Sequence, residues 1–295
     1  MKSVMLIVNP NSGKTKPKSM LFEIIETLSQ SGCLVTTCIT KQKGDASDFA
    51  TFACDKGIYN MIVCCGGDGT LSETISGILK SQNPLPLGYI PCGSTNDYAR
   101  SLSISSDYVK AANVAANGEE YPVDIGIING THFNYVASFG LFTSVSYSAP
   151  RSLKSMLGHT AYVLEGTKEL AKIKPNHVRI ETECGVYEDD YIFGAIANST
   201  SIGGIVKLNE ALVSFNDGVF EICLVKMPKN PADIVKIVRG IMNSDFTDSC
   251  FEFFRASSLK ITAPGDMPWS LDGEKAEPGS DIEIDILHSA IKLML

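Results

Sequence analysis

The sequence predicts an α/β domain with a mostly parallel sheet, followed by an antiparallel β domain. In the first third of the 295 residues, short apolar runs alternate with segments whose apolar residues recur at helical spacing. After about residue 122 the pattern changes to short β-rich segments separated by Gly, Pro, Asn or Asp. The chain is longer than a single core usually is, so we expect two domains.

Repeated strand and helix units form the first domain. The stretch KSVMLIV predicts a strand, and CLVTTCIT predicts the next one. A helix opened by Asp45 or Ser47 and closed by Gly57 follows, and then the apolar run 61–65 and the strand PLGYIP. Such units predict a mostly parallel sheet whose ligands bind outside the carboxyl ends of the strands.

The second domain is predicted to be a β-sandwich or barrel. Asn129 and Gly130 lie between two apolar runs and form a strong hairpin signal. Two helical patterns, HTAYVLEGTKELAKIK and PADIVKIVRGIMNS, interrupt the later strands. We expect the cleft between the domains to hold the active site. The expected domains are 1–125 together with 288–295, and 126–287.

Composition excludes several classes of protein. The formal net charge of −8 argues against wholesale nucleic-acid binding. No apolar run approaches the roughly 20 residues that span a bilayer, and no signal peptide is recognisable, so a cytoplasmic protein is expected. The nine cysteines lack zinc-site spacing, which predicts reduced core thiols, and the four scattered histidines are given no catalytic role.

The stretch MIVCCGGDGTLSETISGIL joins a strand to a helix through Gly66, Gly67 and Gly69. Glycines let the backbone approach a ligand closely, and the amides that open the helix favour anions. Asp68 on such a loop indicates a cation, as Mg²⁺ usually is, between the carboxylate and a phosphate. For this loop alone, a tight turn in which Asp68 caps the helix is the favoured alternative.

Four stretches together resemble the diacylglycerol kinase catalytic-domain family. They are NPNSGK (9–14), GGDGT (66–70), PCGSTNDYAR (91–100) and SLDGEKAE (270–277). The family includes bacterial diacylglycerol kinases and the sphingosine and ceramide kinases, and the resemblance covers nearly the whole chain in the same order. GGDGT alone also occurs in NAD kinases and, as close variants, in phosphofructokinases, whereas GSTNDYAR with a late DGE points to lipid kinases.

The resemblance implies an NAD kinase- or phosphofructokinase-like nucleotide domain, a β-sandwich, and transfer of the γ-phosphoryl group of ATP to a lipid hydroxyl. Phosphoryl transfer needs amides and cations on the phosphates, Mg²⁺, and a group that activates the hydroxyl. The expected nucleotide-binding residues are Asn9, Pro10, Asn11, Ser12, Gly13, Lys14, Thr40, Gly66, Gly67, Asp68, Gly69, Thr70, Glu73, Ser94 and Asn96.

Carboxylates are expected to supply the metal site and the base. The resemblance places a metal and water network at Asp68, Asp97 and Asp124. Without it, Asp97 as a helix cap and Asp124 as a polar strand residue are equally good interpretations. By resemblance, Glu274 of the late DGE is the general base that takes the proton of the acceptor hydroxyl. Asp272 would orient the base or assist the metal; a plain DG turn is the alternative.

The segment FNDGVFEI resembles the part of bacterial members that holds a second, structural Mg²⁺. Asp217 matches the carboxylate ligand, and the carbonyls of Ser214 and Val219 are the expected partners. Asn216 replaces one of the usual pair of aspartates, so an ordinary hairpin turn is the alternative. Ser94 stands where many members have threonine, and it keeps the hydroxyl.

A lipid acceptor requires contact with a membrane surface. The segment 151–175 carries five positive charges against two negative ones, with apolar residues among them. We expect it to rest on anionic headgroups at the inner face of the cell membrane. A solvated helix packed on the sandwich is the alternative.

The leading hypothesis is an ATP- and Mg²⁺-dependent kinase that converts diacylglycerol to phosphatidic acid. The acceptor could also be a sphingoid base, another lipid or, with less support, NAD. A homodimer is an open alternative for the oligomeric state. A nucleotide-binding regulator without turnover ranks third. It would lack the metal carboxylates or the base, and Asp68, Asp97, Asp124 and Glu274 are all present.

Overall fold

A computed structural model of the chain describes residues 1–13, 20–141, 174–202, 206–208 and 213–295. Within these residues the chain divides into two compact units, Met1–Ile125 with His288–Leu295, and Gly126–Leu287. No helix of the described residues is long and apolar enough to cross a membrane. The predicted helix HTAYVLEGTKELAKIK lies outside these residues except for its last position.

The first unit contains a parallel sheet and five helices in its described part. Its strands are β1 (Lys2–Val8), β2 (Cys33–Ile39), β3 (Met61–Gly66) and β4 (Leu87–Pro91). Two longer strands, β5 (Glu120–Ile128) and β17 (Asp281–Met294), are shared between the units, and the first unit contains β5 up to Ile125 and β17 from His288 onward. The helices are α1 (Leu21–Gln30), α2 (Asp45–Lys56), α3 (Asp68–Lys80), α4 (Asp97–Ser101) and α5 (Tyr108–Asn117). The strand order is β17-β4-β3-β1-β2, with every pair parallel.

The register of the parallel strands brings the functional loops to one edge of the sheet. Val8 pairs with Ile39 of β2 and with Cys65 of β3, and Gly66 pairs with Pro91 of β4. All residues of β3 and β4 are buried, as expected for strands covered on both faces. The loops that follow β1, β2, β3 and β4 therefore all begin at the same edge of the sheet, the edge formed by the carboxyl ends of these strands.

The second unit is antiparallel. Its further strands are β6 (Thr131–Phe133), β7 (Val136–Gly140), β8 (Asn176–Thr182), β9 (Gly185–Ala197), β10 (Ser201–Ile202), β11 (Val206–Lys207), β12 (Phe220–Lys226), β13 (Phe251–Ala256), β14 (Ser258–Thr262), β15 (Trp269–Leu271) and β16 (Glu274–Ala276), with helix α6 (Pro231–Asn243). The strand order is β16-β15-β7-β9-β8-β14-β17, and β12 pairs with β9 and β13. The helix predicted at PADIVKIVRGIMNS is confirmed.

Large aromatic side chains fill the core of the second unit. Phe133 stacks on Phe220 with ring centroids 5.6 Å apart, and Phe139 lies 5.1 Å from the single tryptophan, Trp269. All four side chains are fully buried. Most of the cysteines are buried, as expected for core residues, and none is disulfide-bonded to another among the described residues.

Candidate active site

The loops that follow β1 and β3 are joined by side-chain hydrogen bonds. The Nδ2 group of Asn9 donates to the hydroxyl of Thr70 at 2.9 Å. The main-chain N–H of Gly67 donates to the hydroxyl of Ser12 at 3.2 Å. The predicted nucleotide-binding residues Asn9, Ser12, Gly67 and Thr70 therefore lie together at one edge of the sheet.

Glycines allow the loop after β4 to touch the other two loops. A Cβ atom on Gly93 would lie 2.7 Å from the Cα atom of Gly67, and one on Gly13, whose φ is +66°, would overlap the carbonyl oxygen of Cys92. Asn96 braces this loop, because its Oδ1 accepts from the N–H of Gly93 at 2.8 Å and its Nδ2 donates to the carbonyl of Gly93 at 3.0 Å. The backbones of the three loops meet only because these positions lack side chains.

Asp68 lies at the first position of α3, where the loops after β3 and β4 meet. Its Oδ2 accepts from the N–H of Asp97 at 3.2 Å and from the hydroxyl of Thr95 at 3.4 Å. Its Oδ1 is buried, and no described residue donates a hydrogen bond to it. Burial raises the pKa of Asp68, and the charge of Asp97 adds to the rise, while the N–H of Asp97 opposes it. A bound cation would satisfy this oxygen.

A pocket of about 400 Å³ lies beside the first loop. Thr40, at the end of β2, is buried there, and its hydroxyl donates to the carbonyl of Val8 at 3.4 Å. Apolar walls with a few polar groups are typical of small-molecule sites. The described residues that line the pocket are Val8, Pro10, Asn11, Leu21, Ile39, Thr40 and Lys41.

The remaining predicted nucleotide-binding residues occupy the same loops and the start of α3. Gly69 and Ser94 are exposed, and Glu73 is half-buried on α3, three positions after Thr70. Lys14 lies outside the described residues.

The other two predicted metal carboxylates differ in their surroundings. Asp97 lies next to Asp68 through its main-chain N–H. Asp124 is fully buried in β5, where its Oδ1 accepts from the N–H of Ser289 at 2.6 Å and lies 3.0 Å from Nδ1 of His288. Across the described residues, no three Asp, Glu, His or Cys side chains are arranged to hold a metal ion. A Mg²⁺ ion shared by all three carboxylates remains a prediction.

Glu274, the predicted base, belongs to the second unit and is exposed at the start of β16. It pairs with Leu271 across a turn of two residues. Asp272 and Gly273 in this turn have φ values of +50° and +87°, which is the pattern of a type I′ hairpin. The DG turn and a reactive Glu274 are thus compatible, since the turn presents the carboxylate at an open position.

Asp272 is bound to the residues that lead into β7. Its Oδ2 accepts from the N–H and the Nδ2 of Asn134 at 2.7 and 2.9 Å. Its Oδ1 accepts from the N–H groups of Tyr135 and Val136 at 3.0 and 3.2 Å. Because these donors occupy both oxygens, the geometry fits a residue that orients Glu274 better than one that binds a metal.

Comparisons with known proteins agree with the geometry. The family described as "Diacylglycerol kinase catalytic domain" matches residues 3–128, and "YegS C-terminal NAD kinase beta sandwich-like domain" matches residues 136–294. A diacylglycerol kinase of Bacillus subtilis is 33% identical over 276 residues, which cover 93% of this chain and 90% of that protein. The chain belongs to the diacylglycerol kinase family.

Further relatives agree with this family. A diacylglycerol kinase of Staphylococcus epidermidis is 32% identical over 277 residues, covering 92% of this chain and 86% of that protein. A crystal structure of a diacylglycerol kinase from Bacillus anthracis aligns over 99% of this chain and 96% of that chain with a TM-score of 0.76, at 22% identity, and so supports the fold. The predicted family, fold class and enzyme class, a lipid kinase related to diacylglycerol kinases, are confirmed.

The turn expected to hold the structural Mg²⁺ of the family is organised by an arginine. The guanidinium of Arg255 bonds to Oδ2 of Asp217, and its Nε donates to Oε1 of Glu221 at 3.1 Å. The other oxygen of Asp217 accepts from the N–H of Val219 at 3.4 Å. The hydroxyl of Ser214 donates to a neighbouring side chain, Oδ1 of Asn216, at 3.1 Å. Arg255 supplies a positive charge at Asp217, so a metal at this turn remains a prediction.

Glu221 is a notable residue that the sequence analysis missed. It is fully buried in β12, and its Oε2 accepts no hydrogen bond from the part of the chain that the structure describes. Burial raises its pKa to about 7, although the charge of Arg255 opposes the rise. The available signal was one acidic residue inside the otherwise apolar strand FEICLV.

We expect Glu221→Gln to stabilise the second unit above pH 7. The folded pKa of about 7 exceeds the ordinary 4.5, so stability is lost as pH rises from 4.5 toward 7. The glutamine keeps an acceptor for Arg255 and removes the buried charge, a gain of up to roughly 3 kcal/mol at pH 8. Urea unfolding followed by the fluorescence of Trp269 measures it, with Glu283→Gln, an exposed position, as control. Equal unfolding curves for wild type and Glu221→Gln at pH 8 would show that a buried charge at Glu221 does not oppose folding.

Asp68→Asn should stabilise the ligand-free protein near pH 8 and weaken its response to Mg·ADP. The pKa of Asp68 is raised mainly by burial, so the ionised carboxylate opposes folding above its unfolded pKa of about 3.9. The gain should therefore shrink as the pH falls.

Thermal unfolding at pH 5 and pH 8, with and without Mg·ADP, measures both effects. Asp48→Asn is the matched control, because Asp48 also lies in the first turn of a helix but is exposed. An Asp68→Asn protein that is less stable than wild type at pH 8, or that keeps the full response to Mg·ADP, would argue against a metal-binding carboxylate.

Proposed function

We propose that this protein transfers the γ-phosphoryl group of ATP to the hydroxyl of diacylglycerol and so makes phosphatidic acid. The observation that carries the proposal is the buried oxygen of Asp68, which accepts no hydrogen bond from the described residues and lies where glycine-rich loops meet. A carboxylate fixed on an anion-binding loop is stabilised by a cation that also binds phosphate. The relatives named diacylglycerol kinases support the acceptor.

The donor nucleotide occupies the first unit in this proposal. The amide of Gly69, in the first turn of α3, favours phosphate oxygens, as does the hydroxyl of Thr70. The pocket beside Thr40 takes the remainder of the nucleotide. Asp68 and Asp97 would hold a Mg²⁺ ion, and Asp124 would contribute to its water network. Bound Mg²⁺ would neutralise charge on the phosphates during transfer.

Glu274 acts as the general base. Its carboxylate takes the proton of the acceptor hydroxyl, the acceptor oxygen bonds to the γ-phosphorus, and the bond between that phosphorus and the leaving oxygen of ADP breaks. An exposed carboxylate on a rigid hairpin suits this role, because a base must first reach the proton it removes.

Contact with the membrane completes the proposal. The basic and apolar segment 151–175 touches anionic headgroups at the inner face of the cell membrane, which brings the enzyme to a lipid acceptor. The proposal rests on the charge pattern of the sequence, since most of this segment lies outside the described residues.

Transfer of labelled γ-phosphate tests the proposal. The protein, ATP and Mg²⁺ are incubated in mixed micelles with diacylglycerol, a sphingoid base, ceramide or NAD, each offered separately. Label in phosphatidic acid is expected. Label only in another acceptor would keep the kinase and change its substrate, and ATP binding without label in any product would favour a nucleotide-binding regulator.

Glu274→Ala should lower kcat by roughly 10²–10⁴ and leave nucleotide binding unchanged, because it removes only the proton acceptor. The matched control is Glu277→Ala, which removes an exposed glutamate from the same hairpin, there paired with Lys275. Initial rates and the dissociation constant of ADP are measured for both variants. Turnover of Glu274→Ala close to that of wild type would show that the base is another group.

A further inference from the structure

Six hydrogen bonds fasten the turn that presents Glu274 to the segment 134–136. Four of them end on the carboxylate of Asp272, as described above. In the fifth, the N–H of Asp272 donates to the carbonyl of Val136 at 2.9 Å. In the sixth, the hydroxyl of Tyr135 donates to the carbonyl of Asp272 at 3.2 Å. Main chain and side chain of Asp272 are thus both held.

The donors on the other side are themselves fixed. Asn134 and Tyr135 are only 2% and 5% exposed. Strand β7, which begins at Val136, is paired with β9 on one side and with β15 on the other. Hydrogen bonds to an ionised carboxylate are stronger than neutral ones. The turn is therefore held against a rigid part of the sheet.

The position of this anchor connects it to Glu274. The type I′ turn has only two central residues, so Glu274 follows Asp272 at a distance of two positions. A displacement of the turn would be transmitted to Glu274 through the single residue Gly273. Misplacement of a reacting group by about 1 Å can cost roughly 10²-fold in rate.

Asn134 also bears a local cost. Its Nδ2 donates to Asp272, but its Oδ1 is buried and has no hydrogen-bond donor among the described residues. An unsatisfied buried acceptor is unfavourable, because it has lost its hydrogen bonds to water. A residue that breaks a local rule in this way is more typical of functional sites than of positions that serve packing alone.

We infer that Asn134 is a positioning residue, which holds Glu274 in its working place through the carboxylate of Asp272. The inference rests on the proposed function, because it assigns Asn134 a part in the step that Glu274 performs. In this proposal Asn134 itself touches neither ATP nor the lipid substrate.

Asn134→Ala tests the inference against a matched control in the same unit. Asn129 binds the segment that joins β16 to the start of β17. Its Nδ2 donates to the carbonyls of Pro278 and Asp281, and its Oδ1 accepts from the N–H of Glu283. None of these bonds ends on the turn residues Asp272 and Gly273. Asn129→Ala therefore removes comparable bonds without releasing Asp272.

Steady-state rates with ATP and diacylglycerol, and thermal unfolding, are measured for both variants. Asn134→Ala is expected to lower kcat by roughly 10–100-fold with the KM for ATP within about twofold of wild type. Asn129→Ala should keep kcat within about twofold, even where it loses as much stability. Equal kcat values for the two variants would overturn the inference.

A double-mutant cycle with Glu274→Ala separates positioning from general damage. If Asn134 acts through Glu274, Asn134→Ala should cause no further loss of rate once Glu274 is removed. Multiplication of the two losses would overturn the inference. The single variant Glu274→Ala distinguishes a failure of the proposed function from a failure of the inference about Asn134. Turnover that survives this change rejects Glu274 as the base, whatever the effect of Asn134→Ala.

Asp272→Asn keeps the test decisive should Asn134→Ala fail to fold. The substitution preserves the shape of the side chain but turns one acceptor oxygen into an amide that faces N–H donors. It should reduce kcat to the same extent as Asn134→Ala, again only when Glu274 is present. A kcat within about twofold of wild type would overturn the inference.

Discussion

The loop site of the first unit depends on one buried carboxylate oxygen, Oδ1 of Asp68, to which no described residue donates a hydrogen bond. Ordered parallel strands bring the loops after β1, β3 and β4 to one edge of the sheet, and glycine at Gly13, Gly67 and Gly93 lets their backbones touch. This close packing removes water from Asp68 and raises its pKa. The buried carboxylate is unfavourable by itself, and the packing of the rest of the unit holds it in place. A cation bound to phosphate would stabilise its negative charge.

The second unit solves a different problem, the placement of an exposed carboxylate. Glu274 makes its contribution at the surface, so burial cannot fix it. The type I′ turn and the charge-assisted hydrogen bonds to Asp272 fix the backbone instead. The two units thus use carboxylates in opposite ways: Asp68 is left short of donors, whereas Asp272 has all the donors it can accept.

Much of the fold and of the loop site followed from the sequence because both depend on local patterns. Apolar runs and helical spacing predict β3 and α3, and the glycines between them mark a loop that approaches a ligand. The partners of the carboxylates were not predictable, because Asp272 is bound largely by main-chain N–H groups more than 130 positions away, and main-chain donors have no sequence signal. The same reason hid Ser289 at Asp124.

Arg255 shows a second limit of sequence reasoning. A resemblance in FNDGVFEI indicates a metal ligand at Asp217, but the cation that the structure places there comes from a different strand, β13. Local motifs name one side of a contact and leave the other side to the topology. Glu221, also bound by Arg255, was recognisable only as a charged residue in an apolar strand.

The most direct test of the account is a crystal structure of the protein with Mn²⁺ and ADP, with diffraction data collected to locate the manganese by its anomalous scattering. A metal site at Asp68 predicts an anomalous peak within about 2.5 Å of its Oδ1 atom, which is a direct coordination distance. Nucleotide bound at the loops with no manganese at Asp68, or manganese found only at Asp217, would contradict it.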